Sequence, residues 1–397
     1  MRRVVIPADI RFPLERANGV QIVKTAAALA AGGTATTLLV RRSDPRPTAA
    51  ILAQLGVTGD ARLRVRRLSV LHRRGSYTLP RLSFLVQALA LGLAALARDA
   101  VIYTRDLQLA ELLLGQPFRT RRRLVYEAHA VESVMYGERA ALYGTSEPAL
   151  ESKRARLARR EGRVWRQAAA VVTTTAGIRE TFQAAYGPRE TTAVISNGCD
   201  LAPDRAFSGP SAERPARVVY AGQLYVWKGV DVLVDAVARV PDVRLVILGG
   251  LEGERDLSRI RQLVEARDLG ARVEMAGTVP QARVAEELRR AAVVVVPFLR
   301  SAMTERHTSP IKLFEAMAAG RPIVCSDLPS SREIVRDGEH ALLVPPGDAE
   351  ALAAAIKRLA EDPALAERLA RAAFDEAPRY SWERRAARLS ELFEALP

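Results

Sequence analysis

The 397-residue chain reads as an α/β protein of two Rossmann-like, doubly wound parallel-sheet domains facing a central cleft. Three observations predict this. The length suits about two domains at roughly 100–200 residues each. Short β-branched runs alternate with helical stretches in two successive sets, the pattern of parallel strands covered on both faces. A turn-rich stretch, Asn197 to Pro215, separates the sets and cannot hold a regular element for long.

In the first set the predicted strands are Val4–Ala8, Thr36–Val40, Leu63–Val70, Ala100–Thr104, Leu124–His129, Ala170–Thr175 and Ala193–Ser196. In the second they are Arg217–Ala221, Arg244–Leu248, Val273–Ala276, Val293–Pro297, Ile323–Ser326 and Ala341–Val344. The expected domains are 1–205 and 206–380, with a terminal helix near 381–397 packing back on the first. Ligands of such sheets bind outside the carboxyl ends of the strands, so the chemistry is expected there. No repeat of 20–50 residues and no low-complexity tract points to a solenoid or a disordered adaptor.

Hydrophobic residues make up 49% and charged residues 26% of the chain, a composition that supports a packed core. Cys199 and Cys325 cannot form a disulfide framework, and no Cys-x-x-Cys pair is present, so a reducing, cytoplasmic setting is expected. The opening apolar run ends at Asp9, too soon for a signal peptide. The apolar stretch Phe84–Ala97 falls short of a bilayer span, and no transmembrane helix is expected.

The net charge of +14 is unevenly placed: residues 1–208 hold 32 basic and 17 acidic side chains, the remainder 27 and 28. An acidic partner of the first half follows: nucleic acid, an anionic membrane or an acidic substrate. Arg62, Arg64, Arg66, Arg67, Arg73, Arg74 and Arg81 lie in a stretch without acids, directly before the apolar segment from Phe84. Basic residues beside an apolar helix form a pattern of peripheral membrane attachment, although a core helix flanked by solvated arginines has the same appearance. A second basic segment, Lys153 to Arg166, carries Leu150, Leu157 and Val164 at heptad spacing and reads as a helix with one packed stripe.

Two segments suggest nucleotide chemistry. In Thr308-Ser-Pro-Ile-Lys-Leu-Phe-Glu315, Pro310 suits the opening turn of a helix that Ser309 or Thr308 could cap. The free amides there would form an anion site, and Glu315, about one and a half turns in, could accept hydrogen bonds from a diol. In Val218 to Ala236, a strand ending at Gly222 leads to Lys228-Gly229 at a helix entrance; the glycine permits close backbone approach and the lysine neutralises phosphate.

These segments, in this order, resemble the signature of the retaining GT-B-fold nucleotide-sugar glycosyltransferases, the glycosyl transferase group 1 or family 4 type. Supporting pieces are Arg16-Ala-Asn-Gly-Val20, Tyr126-Glu-Ala-His129, Val194-Ile-Ser-Asn-Gly-Cys-Asp200, Ile334 to Gly347 and Tyr380-Ser-Trp-Glu383. The resemblance implies an acceptor-binding first domain, a donor-binding second domain and a UDP- or GDP-sugar donor. It implies that Lys228 neutralises the diphosphate, Glu315 binds the ribose, and His129 lies beside the reacting sugar. Asn18, Gly19, Gly222, Gln223, Val279, His307, Thr308, Ser309, Pro310, Ile311 and Lys312 complete the implied donor site. No Asp-x-Asp occurs, so neither metal nor other cofactor is expected. Two departures stand out: His307 occupies the place of a frequent glutamate eight residues before Glu315, and Gln223 that of an arginine.

Other readings are a GT-B-fold nucleotide-sugar epimerase or phosphorylase, neither of which explains the basic first half. A nucleic-acid-binding protein would explain it. Against that reading, no helix-turn-helix, zinc finger or aromatic RNA-binding motif is present, and aromatics are only 5% of residues.

Overall fold

The computed structural model describes residues 3–12, 17–71, 78–116, 121–143, 148–211, 213–250 and 253–397. The chain divides into two compact units, residues 1–197 with 382–397, and residues 198–381.

The first unit is a seven-stranded sheet of β1 (Val4–Phe12), β2 (Thr36–Arg42), β3 (Leu63–Leu68), β4 (Val101–Thr104), β5 (Leu124–Ala128), β6 (Ala170–Thr173) and β7 (Thr192–Val194). All pairings are parallel, in the order β3-β2-β1-β4-β5-β6-β7, so the winding reverses between β1 and β4. The second unit repeats the plan with β8 (Ala216–Ala221), β9 (Val243–Leu248), β10 (Val273–Gly277), β11 (Val293–Val296), β12 (Ile323–Ser326) and β13 (Leu342–Val344). Its order is β10-β9-β8-β11-β12-β13, with the reversal between β8 and β11. Both are Rossmann-like, doubly wound parallel sheets with helices packed on their faces, which is why the central strands are apolar throughout.

Each sheet has its own core. Val5, Leu39, Ile102, Leu124 and Val171 meet Phe84, Leu109, Trp165 and Phe182 from the covering helices of the first unit. Val218, Leu245, Val293 and Val324 meet Leu233, Ile260, Ile356 and Leu369 in the second. The terminal helix Trp382–Glu394 belongs to the first unit and packs on the helix Ala17–Ala31.

Two elements depart from expectation. Strand β1 runs past Asp9 to Phe12 because that acid is neutralised inside the unit: its carboxylate accepts from Arg41 of β2 and from Arg81. The apolar helix is also longer than the apolar run, spanning Thr78–Leu96, 19 residues. By length and composition alone it could cross a membrane, which corrects the expectation that it falls short. It nevertheless packs Phe84, Leu85, Ala88 and Leu96 into the core, leaving Leu82 and Val86 exposed.

Candidate active site

The first unit gathers its chemistry at the carboxyl ends of β4 and β5. His129 directly follows β5, and its Nε2 lies 2.6 Å from Oε1 of Glu127, a buried residue of that strand. The same carboxylate accepts from Gln21 at 3.2 Å and, closely, from Arg385 of the terminal helix. Arg385 is almost wholly buried and also donates to Tyr103 Oη at 3.0 Å and to the carbonyls of Ile195 and Ser196 at 2.8 and 2.7 Å. Burial would raise the Glu127 carboxyl, but attraction to Arg385 and His129 outweighs it and holds the group below its ordinary range. Burial, with the charge of nearby Arg105, pushes His129 down to about 4 despite Glu127, so the imidazole is neutral at physiological pH. Asn18, exposed, and Gly19, buried, lie at the start of the helix Ala17–Ala31.

The other residues implied by the resemblance lie in the second unit, around the carboxyl ends of β8, β10 and β11. Gly222 and Gln223 follow β8, and Lys228 ends the short 3-10 turn Val226–Lys228. Gly229 takes φ +66°, and a Cβ there would lie 1.9 Å from the Pro297 carbonyl, so only glycine lets this turn lie against the chain leaving β11. Leu299 ties the region together: its N–H donates to Trp227 O at 3.0 Å, and its carbonyl accepts from Thr304 Oγ1 at 2.5 Å. The Lys228 and His307 turns are thereby held on one scaffold.

Lys228 is half-buried, has no carboxylate partner among the described residues, and places Nζ 4.2 Å from the centre of the Phe298 ring. Burial lowers it to about 8. His307 closes a π-helical turn, Met303–His307, and is 4% exposed; neither ring nitrogen has a partner among the described residues. Burial, aided by Arg306, lowers it to about 4. The buried Oε1 of Gln223 likewise lacks a partner among the described residues.

Next comes the helix Ile311–Ala318. Here the capping expectation is corrected. Pro310 is itself the N-cap residue and makes no side-chain cap bond, and Thr308 Oγ1 donates to Met303 O at 2.9 Å and closes the π turn. Ser309 is buried beside it. Glu315 lies in the second turn, 2.7 Å from Lys312 Nζ, and accepts from Gln281 Nε2 at 3.0 Å. Gln281 starts the helix after β10, two residues beyond half-buried Val279, so Glu315 is linked to that strand end.

The basic strip is divided rather than continuous. Arg81 is paired internally with Asp9 and Asp106, and Arg123 with Asp99. Arg62 precedes β3 and Arg121–Arg123 precede β5, at the amino edge of the sheet, whereas Arg66 and Arg67 lie towards its carboxyl edge. Arg73, Arg74 and Arg119 lie outside the described residues, as does Arg16 of the early loop. Sequence reasoning assigned no role to Arg105, Glu127 or Arg385; Glu127 lay within the quoted Tyr126–His129 segment, but its partners are distant in sequence.

Residues 203–376 match the model of glycosyl transferases group 1, and residues 18–198 that of a glycosyl transferase 4-like domain. The chain therefore belongs to the group 1 glycosyltransferases. It is 36% identical over 173 residues to a phosphatidyl-myo-inositol mannosyltransferase of Mycobacterium leprae, 43% of each chain. It is 32% identical over 181 residues to a D-inositol 3-phosphate glycosyltransferase of Xylanimonas cellulosilytica, 44% of this chain and 41% of that one. The matches thus span less than half the length of these relatives. In fold, it resembles a sucrose-phosphate synthase from Thermosynechococcus elongatus over 100% of this chain and 99% of that one, with TM-score 0.73 and 24% identity. It also resembles Anabaena HepE in complex with UDP and glucose over 100% of both chains, with TM-score 0.71 and 20% identity.

Proposed function

We propose that the protein is a retaining, metal-independent glycosyltransferase that moves a hexosyl group from a UDP- or GDP-sugar to an acceptor hydroxyl in glycan or cell-envelope biosynthesis. The observation that carries this reading is Lys228: a half-buried ammonium without a carboxylate partner, held at the switch point of the second sheet on the same scaffold as the unpartnered nitrogens of His307. Leaving such groups unsatisfied costs free energy that an anionic ligand offsets. Lys228 and the amides near Ser309–Lys312 would take the diphosphate, Glu315 the ribose, Val279 the base, and His307 with Gln223 the sugar side. Anabaena HepE, whose fold the chain shares, is recorded with UDP and with UDP-glucose, which supports a nucleotide-sugar donor.

In this reaction the bond from the anomeric carbon to the diphosphate oxygen breaks while the acceptor oxygen bonds to the same face. The acceptor proton passes to the departing phosphate oxygen. No enzyme nucleophile is needed; Lys228 and the helix end stabilise the leaving charge. Neutral His129 would hold a hydroxyl of the reacting sugar.

The acceptor would be lipid-linked, polysaccharide or small, reached at the cytoplasmic side with the first unit resting on anionic membrane. Exposed Leu71, Leu82 and Val86 support that contact. The Leu71 N–H donates to Ser83 Oγ at 3.2 Å, which brings Leu71 beside the helix that carries Leu82 and Val86. A panel of nucleoside-diphosphate sugars tests the donor reading by thermal shift and product analysis. At least one should stabilise the wild type and yield an axial-to-axial or equatorial-to-equatorial product; stabilisation by none, or inversion at the anomeric carbon, refutes it.

A further inference from the structure

The first unit holds a cation that the donor chemistry does not use. Arg105 follows β4, at the point where the sheet order reverses between β1 and β4, where doubly wound sheets bind ligands. Its half-buried guanidinium donates from Nη1 to Gln21 Oε1 at 2.9 Å and to the Asn18 carbonyl at 3.5 Å. Neither acceptor is charged. The Nε–Nη2 edge, the fork that grips phosphate or carboxylate in a bidentate manner, has no partner among the described residues.

The nearby carboxylates are engaged elsewhere. Asp106 holds Arg81 and caps the following helix through Leu109 N at 3.0 Å. Glu127 is shared by Gln21, His129 and Arg385. Exposed Glu132 attracts Arg105 only through space. Arg105 and Glu127 line one small cavity with Gln21, Thr25, Tyr103 and Thr104, and Arg385 bonds to three members of that lining. Arg385 is bonded to the Glu127 carboxylate, whereas Arg105 bonds only neutral acceptors, and the imidazole beside them is neutral. Burial and the like charge of Arg385 lower Arg105 to about 10, which leaves it charged at neutral pH. A desolvated excess cation is costly unless an anion completes it.

We propose that Arg105 is the anion-binding group of the first unit and that the acceptor carries a phosphomonoester or phosphodiester that seats on its Nε–Nη2 edge. This rests on the glycosyltransferase reading, and gives the acceptor its chemical class. A soluble phosphorylated acceptor and a phospholipid headgroup present the same group.

The test uses the full chain saturated with UDP, so that the diphosphate positions of the second unit are filled. Wild type, Arg105→Gln and Arg105→Lys are titrated with inorganic phosphate by calorimetry and sedimented with vesicles of phosphatidylglycerol or phosphatidylcholine. Phosphate binding, or phosphatidylglycerol binding without phosphatidylcholine binding, should weaken about tenfold or more in Arg105→Gln, as loss of a charge-assisted contact requires. Arg105→Lys, which keeps the charge without the fork, should fall between. Binding of free phosphate indicates a soluble acceptor; binding of phosphatidylglycerol vesicles alone indicates a headgroup. If the wild type binds neither, or both variants match it, the proposal is overturned. Failure of the wild type to bind UDP in the preliminary titration would count instead against the donor reading.

Discussion

Replacing Arg385 by Met should destabilise the first unit more than any single change at its surface. Arg385 neutralises the carboxylate of Glu127, both groups lie at 2% side-chain exposure or less, and the guanidinium also serves the carbonyls of Ile195 and Ser196. Removing one partner of a buried pair leaves an uncompensated charge and costs about 3–5 kcal/mol. At roughly 2–4 °C per kcal/mol for a unit of about 200 residues, the first-unit transition in calorimetry should drop by roughly 6–20 °C. The loss should also depend on pH. Glu127 titrates below its unfolded value, so its stabilisation is present above the unfolded carboxyl pKa, near 4.3, and is lost as pH falls through the folded value. Without Arg385 the carboxyl shifts upward, and the gap between variant and wild type should narrow as pH falls below about 5. Glu127→Gln combined with Arg385→Met should cost less than the sum of the two single changes. A drop of less than about 1 kcal/mol, or strict additivity, would refute the coupling between the terminal helix and the His129 strand.

Three further outcomes follow from the second unit. Lys228→Ala and Glu315→Ala should each weaken UDP binding about tenfold or more while leaving the calorimetric transition of the first unit in place; equal affinities would remove both from the donor site. Because Lys228 lies near pKa 8 when free, UDP binding at pH 8 should take up about half a proton, and little at pH 6, when titrated in buffers of different ionisation enthalpy; no buffer dependence at pH 8 contradicts the contact. Folded His307 titrates near 4 against about 6.5 unfolded, so the unfolded chain binds the extra proton and second-unit stability should fall from pH 6.5 towards 4; His307→Gln should flatten that slope, and an unchanged slope would show the ring is not the cause.

Chelation tests the mechanism more directly. The proposed leaving-group stabilisation uses Lys228 and backbone amides, so EDTA should leave transfer within about twofold of its untreated rate, whereas loss of activity restored by magnesium or manganese would require acidic ligands that the site as argued lacks.

The strands were legible because each central segment is a continuous apolar run, and that run is itself a consequence of burial on both faces: Ile323–Ser326 is located to the residue. Edges were less legible. Leu63–Val70 ends at Leu68, and β1 passes an acid, because whether Asp9 can enter a sheet depends on Arg41 and Arg81, 32 and 72 residues away. The local structure of the two segments that carry the proposed donor residues was legible, since Lys228-Gly229 and the Pro310–Glu315 run follow local rules of turns and helix entry. Local rules also misplaced the cap: Ser and Thr before Pro310 read as capping residues, but Thr308 spends its hydroxyl on a π turn that no spacing announces.

The first-unit site was the least legible, for a physical reason. Its central carboxylate is separated from Arg385 by 258 positions, so their pairing is a product of the terminal helix returning to the first sheet and not of any motif. Arg105 and Asp106 are adjacent in sequence, yet Asp106 pairs with Arg81 and Arg105 bonds a neutral amide. Which arginine is left without an acid therefore cannot be read from net charge. The excess of basic residues in the first half is spread over both edges of its sheet, whereas Arg105 is distinguished by where the carboxylates around it are already committed.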